Sequence, residues 1–176
     1  MTSACPQSAI DSLKRFPLML KSLVHGLSEE NLLFRPEDGS WSILEILGHL
    51  VDEEKLDFPR RMKLILEGQD WPSIDPVGWA QKHAYQDQRA DRQMTEFVKL
   101  RSHSIEWLES LEINEALLVT DYDNPNLGPL SFGDLLFAWS AHDLLHVRQI
   151  SRRLFEWNEK QAGEFQVAYA GSWHPK

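Results

Sequence analysis

The chain has 176 residues, of which 42% are hydrophobic and 26% are charged, a composition typical of one globular domain with a sizeable core. Its formal net charge of −9 disfavours binding to nucleic acids and to anionic membranes, because both need a basic surface. The single cysteine, Cys5, excludes an intramolecular disulfide bond. We therefore expect one domain over residues 1–176 whose partner is a small-molecule substrate.

Export and membrane signals are also missing from the sequence. The first residues, "MTSACPQSAIDSLKRF", lack the basic segment followed by an apolar one that marks a signal peptide. Nor does any apolar run approach the roughly 20 residues that a membrane-spanning helix requires. We therefore expect a cytoplasmic protein.

Hydrophobic residues recur every three or four positions, which is the period of a helix packed on one face. The first predicted helix covers about residues 7–25. The second covers about residues 42–67 and begins with a capping box, in which Ser42 is the N-cap and Glu45 its partner. Pro59 lies inside this second helix and predicts a kink, because proline cannot donate a backbone hydrogen bond.

The middle of the chain alternates between helix and irregular segments. Residues 69–89 contain two prolines and a glycine and are predicted to be a long irregular connection, of the kind that often carries function. A third helix is predicted over about residues 90–111. The segment "DYDNPNLGPL", residues 121–130, is predicted to be a loop because it is rich in Asn, Asp, Pro and Gly.

The last predicted helix begins with a second capping box, Ser131 with Asp134, and continues to about residue 159. Four long helices with two long connections predict an all-α fold in the form of a four-helix bundle. The bundle core should span about residues 7–159, followed by a tail over about 160–176.

Two histidines of the last predicted helix, His142 and His146 in "SAHDLLHVRQI", lie one turn apart. On a helical wheel they fall on the same strip as Leu135 and Trp139, so both imidazoles point into the bundle. They are either core residues with hydrogen-bond partners or ligands of a metal ion. Burial disfavours charged imidazoles and leaves two nitrogens per ring to satisfy, and a metal would take one nitrogen from each ring.

A third ligand is available on the second predicted helix, where "EILGHLVDEEKL" contains His49 on a partly inward-facing side. Three histidines from two helices form the ligand pattern of a catalytic metal site, which keeps a coordination position open for substrate. The other four histidines are weaker candidates. His83 is the strongest of them, because a loop over the mouth of a bundle can reach such a site.

Two stretches carry a family resemblance. "GLSEENLLFRPEDGSWSILEILGHLVDEE" and "SFGDLLFAWSAHDLLHVRQI" resemble the DinB-like superfamily, and the resemblance extends to about Leu154. It implies an antiparallel four-helix bundle that binds a divalent metal, commonly zinc or nickel, through His49, His142 and His146. Relatives include transferases and isomerases that use thiols such as bacillithiol, mycothiol or glutathione. Others are described as metal-dependent hydrolases, and many are homodimers.

The first functional hypothesis is therefore a metal-dependent thiol S-transferase. In it Glu53, one turn from His49, is the catalytic residue that takes the thiol proton or orients a bound water. Arg60 would bind a carboxylate of the thiol cofactor, and Asp143 and Gln149 would orient ligand rings. The plainer alternative for Glu53 and Arg60 is an ordinary solvated salt bridge.

Two further hypotheses stay open. In a metal-dependent hydrolase, the same ion activates water and Glu53 is the general base. In a non-catalytic metal-binding stress protein, His83 or Glu53 would complete a closed set of four ligands. The sequence does not separate these hypotheses, because all of them use the same histidines.

Overall fold

The computed structural model describes residues 4–124 and 128–173, which form eight α-helices and one small antiparallel sheet. None of these helices combines the length and the apolar character needed to cross a membrane. The helices are α1 (Pro6–Val24), α2 (Glu29–Leu33), α3 (Ile43–Leu56), α4 (Phe58–Leu66), α5 (Pro76–Lys82), α6 (Ala90–Glu109), α7 (Glu115–Leu118) and α8 (Phe132–Ala162). The strands are β1 (Asp121–Asn124) and β2 (Gly128–Ser131), and single 3-10 turns lie at Tyr85–Asp87 and Ala168–Ala170.

Four of these helices, α1, α3, α6 and α8, pack side by side as a bundle. α1 packs against α6 and α8, α3 packs against α6, and α3 meets α8 on the remaining side. The apolar stripe of α1 is buried, as its periodicity predicts; its members are Ile10, Leu13, Phe16 and Leu20. The predicted all-α four-helix bundle is therefore confirmed.

Both predicted capping boxes are present. Ser42 Oγ accepts a hydrogen bond from Glu45 N at 3.3 Å, and Glu45 Oε2 accepts one from Ser42 N at 2.9 Å. Ser131 and Asp134 make the equivalent bonds at 3.0 and 2.8 Å. These bonds satisfy N–H groups that a helix start would otherwise leave free, so α3 and α8 begin at defined residues. The same two helices carry the three candidate histidines.

The second predicted helix is two helices in the structure, α3 and α4, separated at Asp57. Asp57 has φ −118° and ψ −103°, which is not a helical conformation. Pro59 lies in the first turn of α4, where its missing N–H costs no helical hydrogen bond. The prediction of one kinked helix was wrong because the proline begins a new helix. Residues after Asp57 consequently leave the helical wheel projected from α3.

Two segments predicted to be irregular contain short regular elements. Residues 69–89 include α5, whose N-cap Asp75 accepts a hydrogen bond from Gly78 N at 2.9 Å, and a 3-10 turn. In the segment 121–130, predicted to be a loop, β1 and β2 pair antiparallel. Each strand has four residues, too few for an alternating pattern to stand out among turn-forming residues.

The tail expected after about residue 160 starts inside α8, which ends at Ala162. The ring of Trp173 lies 5.7 Å from that of Phe155 between centroids, so this part of the tail folds back onto α8. Residues 174–176 of the expected tail lie outside the described residues.

A buried guanidinium, that of Arg101 on α6, joins the four bundle helices. It lies 2.7 Å from Glu54 Oε1 on α3 and 2.6 Å from Asp143 Oδ2 on α8, and it donates to the Leu13 carbonyl on α1 at 3.0 Å. Only 2% of its surface is exposed. Charges so deeply buried are tolerated when they are paired and hydrogen-bonded, and Arg101 meets both conditions.

We predict that Arg101→Met lowers the free energy of unfolding by about 3–5 kcal/mol, because it leaves two carboxylates in the core without their counter-charge. Urea denaturation followed by circular dichroism measures the change. Arg15→Met is the matched control, because Arg15 is exposed on α1 and its loss should change stability by no more than about 0.5 kcal/mol. Equal stability of the two variants would contradict the role given to Arg101.

Candidate metal centre

The three histidines predicted as ligands come together between two helices of the bundle. His49 is on α3, and His142 and His146 are one turn apart on α8. His49 is 5% exposed and His146 8% exposed, while His142 is partly buried. The inward direction predicted from the helical wheels is therefore correct for all three.

The imidazoles face one another through their Nε2 atoms. His142 Nε2 lies 3.4 Å from His49 Nε2 and 3.1 Å from His146 Nε2, and the three ligand atoms are all within 4.8 Å of one another. A tetrahedral ion with bonds to nitrogen of about 2.0–2.1 Å separates its ligand atoms by roughly 3.4 Å. The spacing fits such an ion. Within the described part of the chain, the group holds these three histidines and no fourth ligand.

All three histidines are held in the neutral form that a metal ligand requires. Burial, with the neighbouring His146 and His142, lowers the pKa of His49 to about 2. Burial, with His146 and Arg101, lowers the pKa of His142 to about 3. For His146, burial lowers the pKa to about 4 against an opposing hydrogen bond to Gln149. A cation entering the group therefore competes with no proton near neutral pH.

The opposite nitrogens, Nδ1, are satisfied unequally. His146 Nδ1 lies 2.9 Å from Gln149 Oε1, so Gln149 orients that ring as predicted. The Nδ1 atoms of His49 and His142 are buried without a hydrogen-bond partner among the described residues. Because the proton of a neutral imidazole moves to the nitrogen that binds no metal, these Nδ1 positions would be N–H donors in the metal-bound protein.

Glu53 lies behind His49 rather than beside the converging nitrogens. Its Oε1 is 3.5 Å from His49 Nδ1, across the ring from Nε2. Burial raises the pKa of Glu53, and the charge of Asp57 raises it further. Asp57 Oδ1 in turn lies 2.7 Å from Arg61 Nε. A protonated Glu53 can therefore donate to Asp57 and accept from His49.

Aromatic side chains enclose the histidines. The Trp41 ring is 5.0 Å from His49 between centroids, and the Phe58 ring is 5.3 Å from His142. Phe58 also stacks on Trp139 at 5.9 Å with an interplanar angle of 3°. Sequence analysis assigned neither Trp41 nor Phe58 to this site. The hydrophobic periodicity did not reveal that Asp57, which precedes Phe58, is not helical.

Three other candidates lie away from the histidines. Both carboxylate oxygens of Asp143 contact Arg101, so Asp143 orients no ligand ring. His83 Nδ1 lies 2.5 Å from Asp52 Oδ2, and His83 is not part of the metal-binding group. Arg60 lines a separate cavity together with His83. Its predicted contact with a thiol cofactor stays a prediction.

A family model described as the DinB superfamily matches residues 12–150. The chain belongs to the DinB superfamily. The matched region includes His49, His142 and His146. A comparison with curated proteins found no match.

The DinB fold is also found in a solved structure. YfiT from Bacillus subtilis, described as "a probable metal-dependent hydrolase with an unusual four-helix bundle topology", matches with a TM-score of 0.71 and 20% sequence identity. The match covers 88% of this chain and 90% of YfiT. This similarity supports the bundle fold.

We predict that His142→Ala removes the bound metal and leaves the helical fold intact, because two ligands do not replace three. Elemental analysis of protein purified without a histidine tag should fall from about one ion per chain to less than about a tenth of that. Circular dichroism should be unchanged. His103→Ala, an exposed position on α6, is the matched control and should keep its metal. Full metal occupancy in His142→Ala would contradict the ligand assignment.

Proposed function

We propose that this DinB-superfamily protein is a metal-dependent transferase that joins a low-molecular-weight thiol to an electrophile. The observation that carries the proposal is the convergence of three neutral imidazoles. His142 Nε2 lies 3.1 Å from His146 Nε2 and 3.4 Å from His49 Nε2. A divalent ion such as zinc or nickel fits these donors and, when bound, supplies a Lewis acid that favours the deprotonated form of a thiol or of water.

The set of side chains that converge at the candidate metal centre favours a thiol over water as the nucleophile. In many metal-dependent hydrolases a carboxylate beside the ion assists the attacking water as a general base, and among the described residues no carboxylate shares the group with the three histidines. A thiol is more acidic than water and needs no such base. In the reaction, the sulfur forms a bond to the electrophilic carbon, the leaving group departs with its electron pair, and the thiol proton passes to solvent.

Glu53 is given a positioning role in this proposal. Its protonated carboxyl donates a hydrogen bond to Asp57, whose charge is balanced by Arg61, and places Oε1 3.5 Å from His49 Nδ1, where it can accept once that nitrogen carries the ring proton. This chain of contacts fixes the ring of His49 with Nε2 facing the other histidines. Residues that hold a ligand ring from behind are worth about 10–100-fold in metal affinity.

The aromatic side chains supply the remaining part of the site. Trp41 and Phe58 pack against His49 and His142 and hold the two rings in place. They also keep water from the inner side of the group, so electrostatic interactions there are stronger than in solvent. A reacting molecule must then enter from the partly exposed side of His142.

Hydrolysis is the second candidate, and the description of YfiT as a probable metal-dependent hydrolase favours it. The same three histidines would serve it, with water as the nucleophile. The non-catalytic alternative is less well supported. It needs a fourth protein ligand, and His83 is engaged with Asp52 while Glu53 lies behind His49.

We predict that the zinc- or nickel-loaded protein conjugates a thiol to a chromogenic aryl halide at least about 100-fold faster than the same mixture without protein. Glutathione, bacillithiol and mycothiol are tested separately, and product formation is followed by absorbance and mass spectrometry. His142→Ala should be inactive, and His103→Ala should match the wild type. Turnover of esters or amides with water alone, and no thiol conjugation, would show a hydrolase instead.

For Glu53 we predict that Glu53→Ala weakens metal binding about 10–100-fold, whereas Glu53→Gln keeps both metal affinity and turnover. The glutamine amide can accept from His49 and donate to Asp57, as the protonated carboxyl does. Competitive metal titration and steady-state kinetics measure the two quantities. If Glu53 is the general base of the first hypothesis, Glu53→Gln retains the metal but loses turnover by about 100-fold or more.

A further inference from the structure

A cavity of about 1060 Å³ lies on the other side of α3 from the metal centre. Its walls come from α3, from the 69–89 connection and from α6, and none of the three candidate metal ligands lines it. Gly48 and Asp52 face this cavity, while the adjoining His49 and Glu53 belong to the metal centre. The function proposed above makes no use of this space.

A buried carboxylate organises one wall of the cavity. Asp52, 6% exposed, accepts a hydrogen bond from the Tyr85 hydroxyl and lies 2.5 Å from His83 Nδ1. The Tyr85 ring packs directly on Gly48, where an added Cβ would lie 2.5 Å from the ring. Gly48 therefore permits the close approach that brings Tyr85 to Asp52. Because Asp52 holds Nδ1, the other ring nitrogen of His83 remains available on the cavity side.

The acidic side chains that line the cavity are all engaged. Asp52 is bound by His83 and Tyr85. Asp91 pairs with Arg89 at 2.7 Å, and Glu96 pairs with Lys55 at 3.1 Å.

Three basic side chains of the cavity, unlike the acidic ones, have no partner among the described residues. Arg60, Lys82 and Arg92 line it, and their side chains make no ion pair or hydrogen bond with the part of the chain that the structure describes. These three positive charges come from α4, α5 and α6 and border one concave space. Such an excess is unexpected in a chain of net charge −9. With Lys55 counted, four Lys and Arg side chains and three Asp and Glu side chains line the cavity, so the positive excess comes from the three unpaired cations. A concave site with an excess of one sign of charge concentrates ligands of the opposite sign.

The cavity also has an apolar side. Val51, Leu56 and Trp79 line it, and its volume is near the upper end of the roughly 300–1000 Å³ of small-molecule sites. A bare inorganic anion would leave most of this space empty. Arginine presents a planar set of donors that matches phosphate and carboxylate oxygens, and two of the three free cations are arginines.

From these features we propose that the cavity is a second ligand site, which binds a small organic molecule with an apolar or aromatic body and at least two negative charges, carried by a phosphate group or by several carboxylates. Arg60, Arg92 and Lys82 contact the anionic group. His83, oriented by Asp52, offers a further polar contact, and Trp79 packs against the body of the ligand. This inference stands apart from the thiol-transfer proposal, because it uses none of the metal ligands.

Isothermal titration calorimetry at low salt tests the proposal with three probes: adenosine monophosphate, citrate and inorganic phosphate. We expect adenosine monophosphate or citrate to bind with a Kd below about 1 mM, and to bind more tightly than inorganic phosphate. Tighter binding of the nucleotide identifies a phosphate ester as the preferred class, and tighter binding of citrate identifies a polycarboxylate. The double variant Arg60→Ala/Arg92→Ala should weaken binding at least about tenfold, because it removes two charged contacts.

Two control variants test whether the effect on binding is specific to the cavity. Arg15→Ala removes an exposed cation outside the cavity and should change the Kd less than about twofold. His142→Ala should bind the probe as the wild type does, because the metal centre is separate. NMR shift mapping should place the perturbed amides around α5 and the start of α6.

Four results would overturn the proposal. The first is that neither organic probe binds with a Kd below about 1 mM, and the second is equal affinity for inorganic phosphate and the organic anions, which means an adventitious ion only. The third is equal weakening of binding by Arg15→Ala and by the double variant. The fourth is loss of probe binding in His142→Ala. None of the four bears on thiol conjugation, so failure here and failure of the proposed transferase activity are distinguishable.

Discussion

The candidate metal centre depends on one guanidinium, which extends from one bundle helix and contacts the other three. Arg101 extends from α6 to Glu54 on α3, to Asp143 on α8 and to a backbone carbonyl of α1. Glu54 lies on α3, the helix that carries His49, and Asp143 is the residue after His142 on α8. Because separating these buried charges is costly, the two ligand-bearing helices are held at one spacing. The convergence of the histidine nitrogens is thus set partly by a polar cluster that contains none of the three histidines.

The helix α3 has a different chemistry on each of its two functional sides. On one side, His49 is neutral and Glu53 keeps its proton, because burial penalises charge. On the other side, Asp52 orders His83 and Tyr85 along an open cavity bordered by free cations. A desolvated side suits a soft Lewis-acid site, and a hydrated, positively charged side suits an anion.

The features that the sequence could predict depend on residues close together along the chain. Helical periods, the two capping boxes and the inward direction of the histidines depend on residues within one or two turns, and all are confirmed. Arg60 shows where this reasoning fails. A helical wheel drawn for an uninterrupted helix puts Arg60 on the side of His49. In the structure the helix is interrupted at Asp57, and Arg60 on α4 lines a different cavity. The protonation of Glu53 and the partners of Arg101 arise from tertiary burial, which no spacing along the chain encodes.

Gly48 and His49 are neighbours in sequence, and each faces a different compartment. Each residue of an α-helix advances the side chain by about 100° around the axis. One residue deleted near the beginning of α3 would therefore direct an imidazole at the ring of Tyr85 and withdraw it from its two companions on α8. We therefore expect lineages of the protein to differ in the lengths of their loops while keeping the span from Ser42 to Asp52 constant in length.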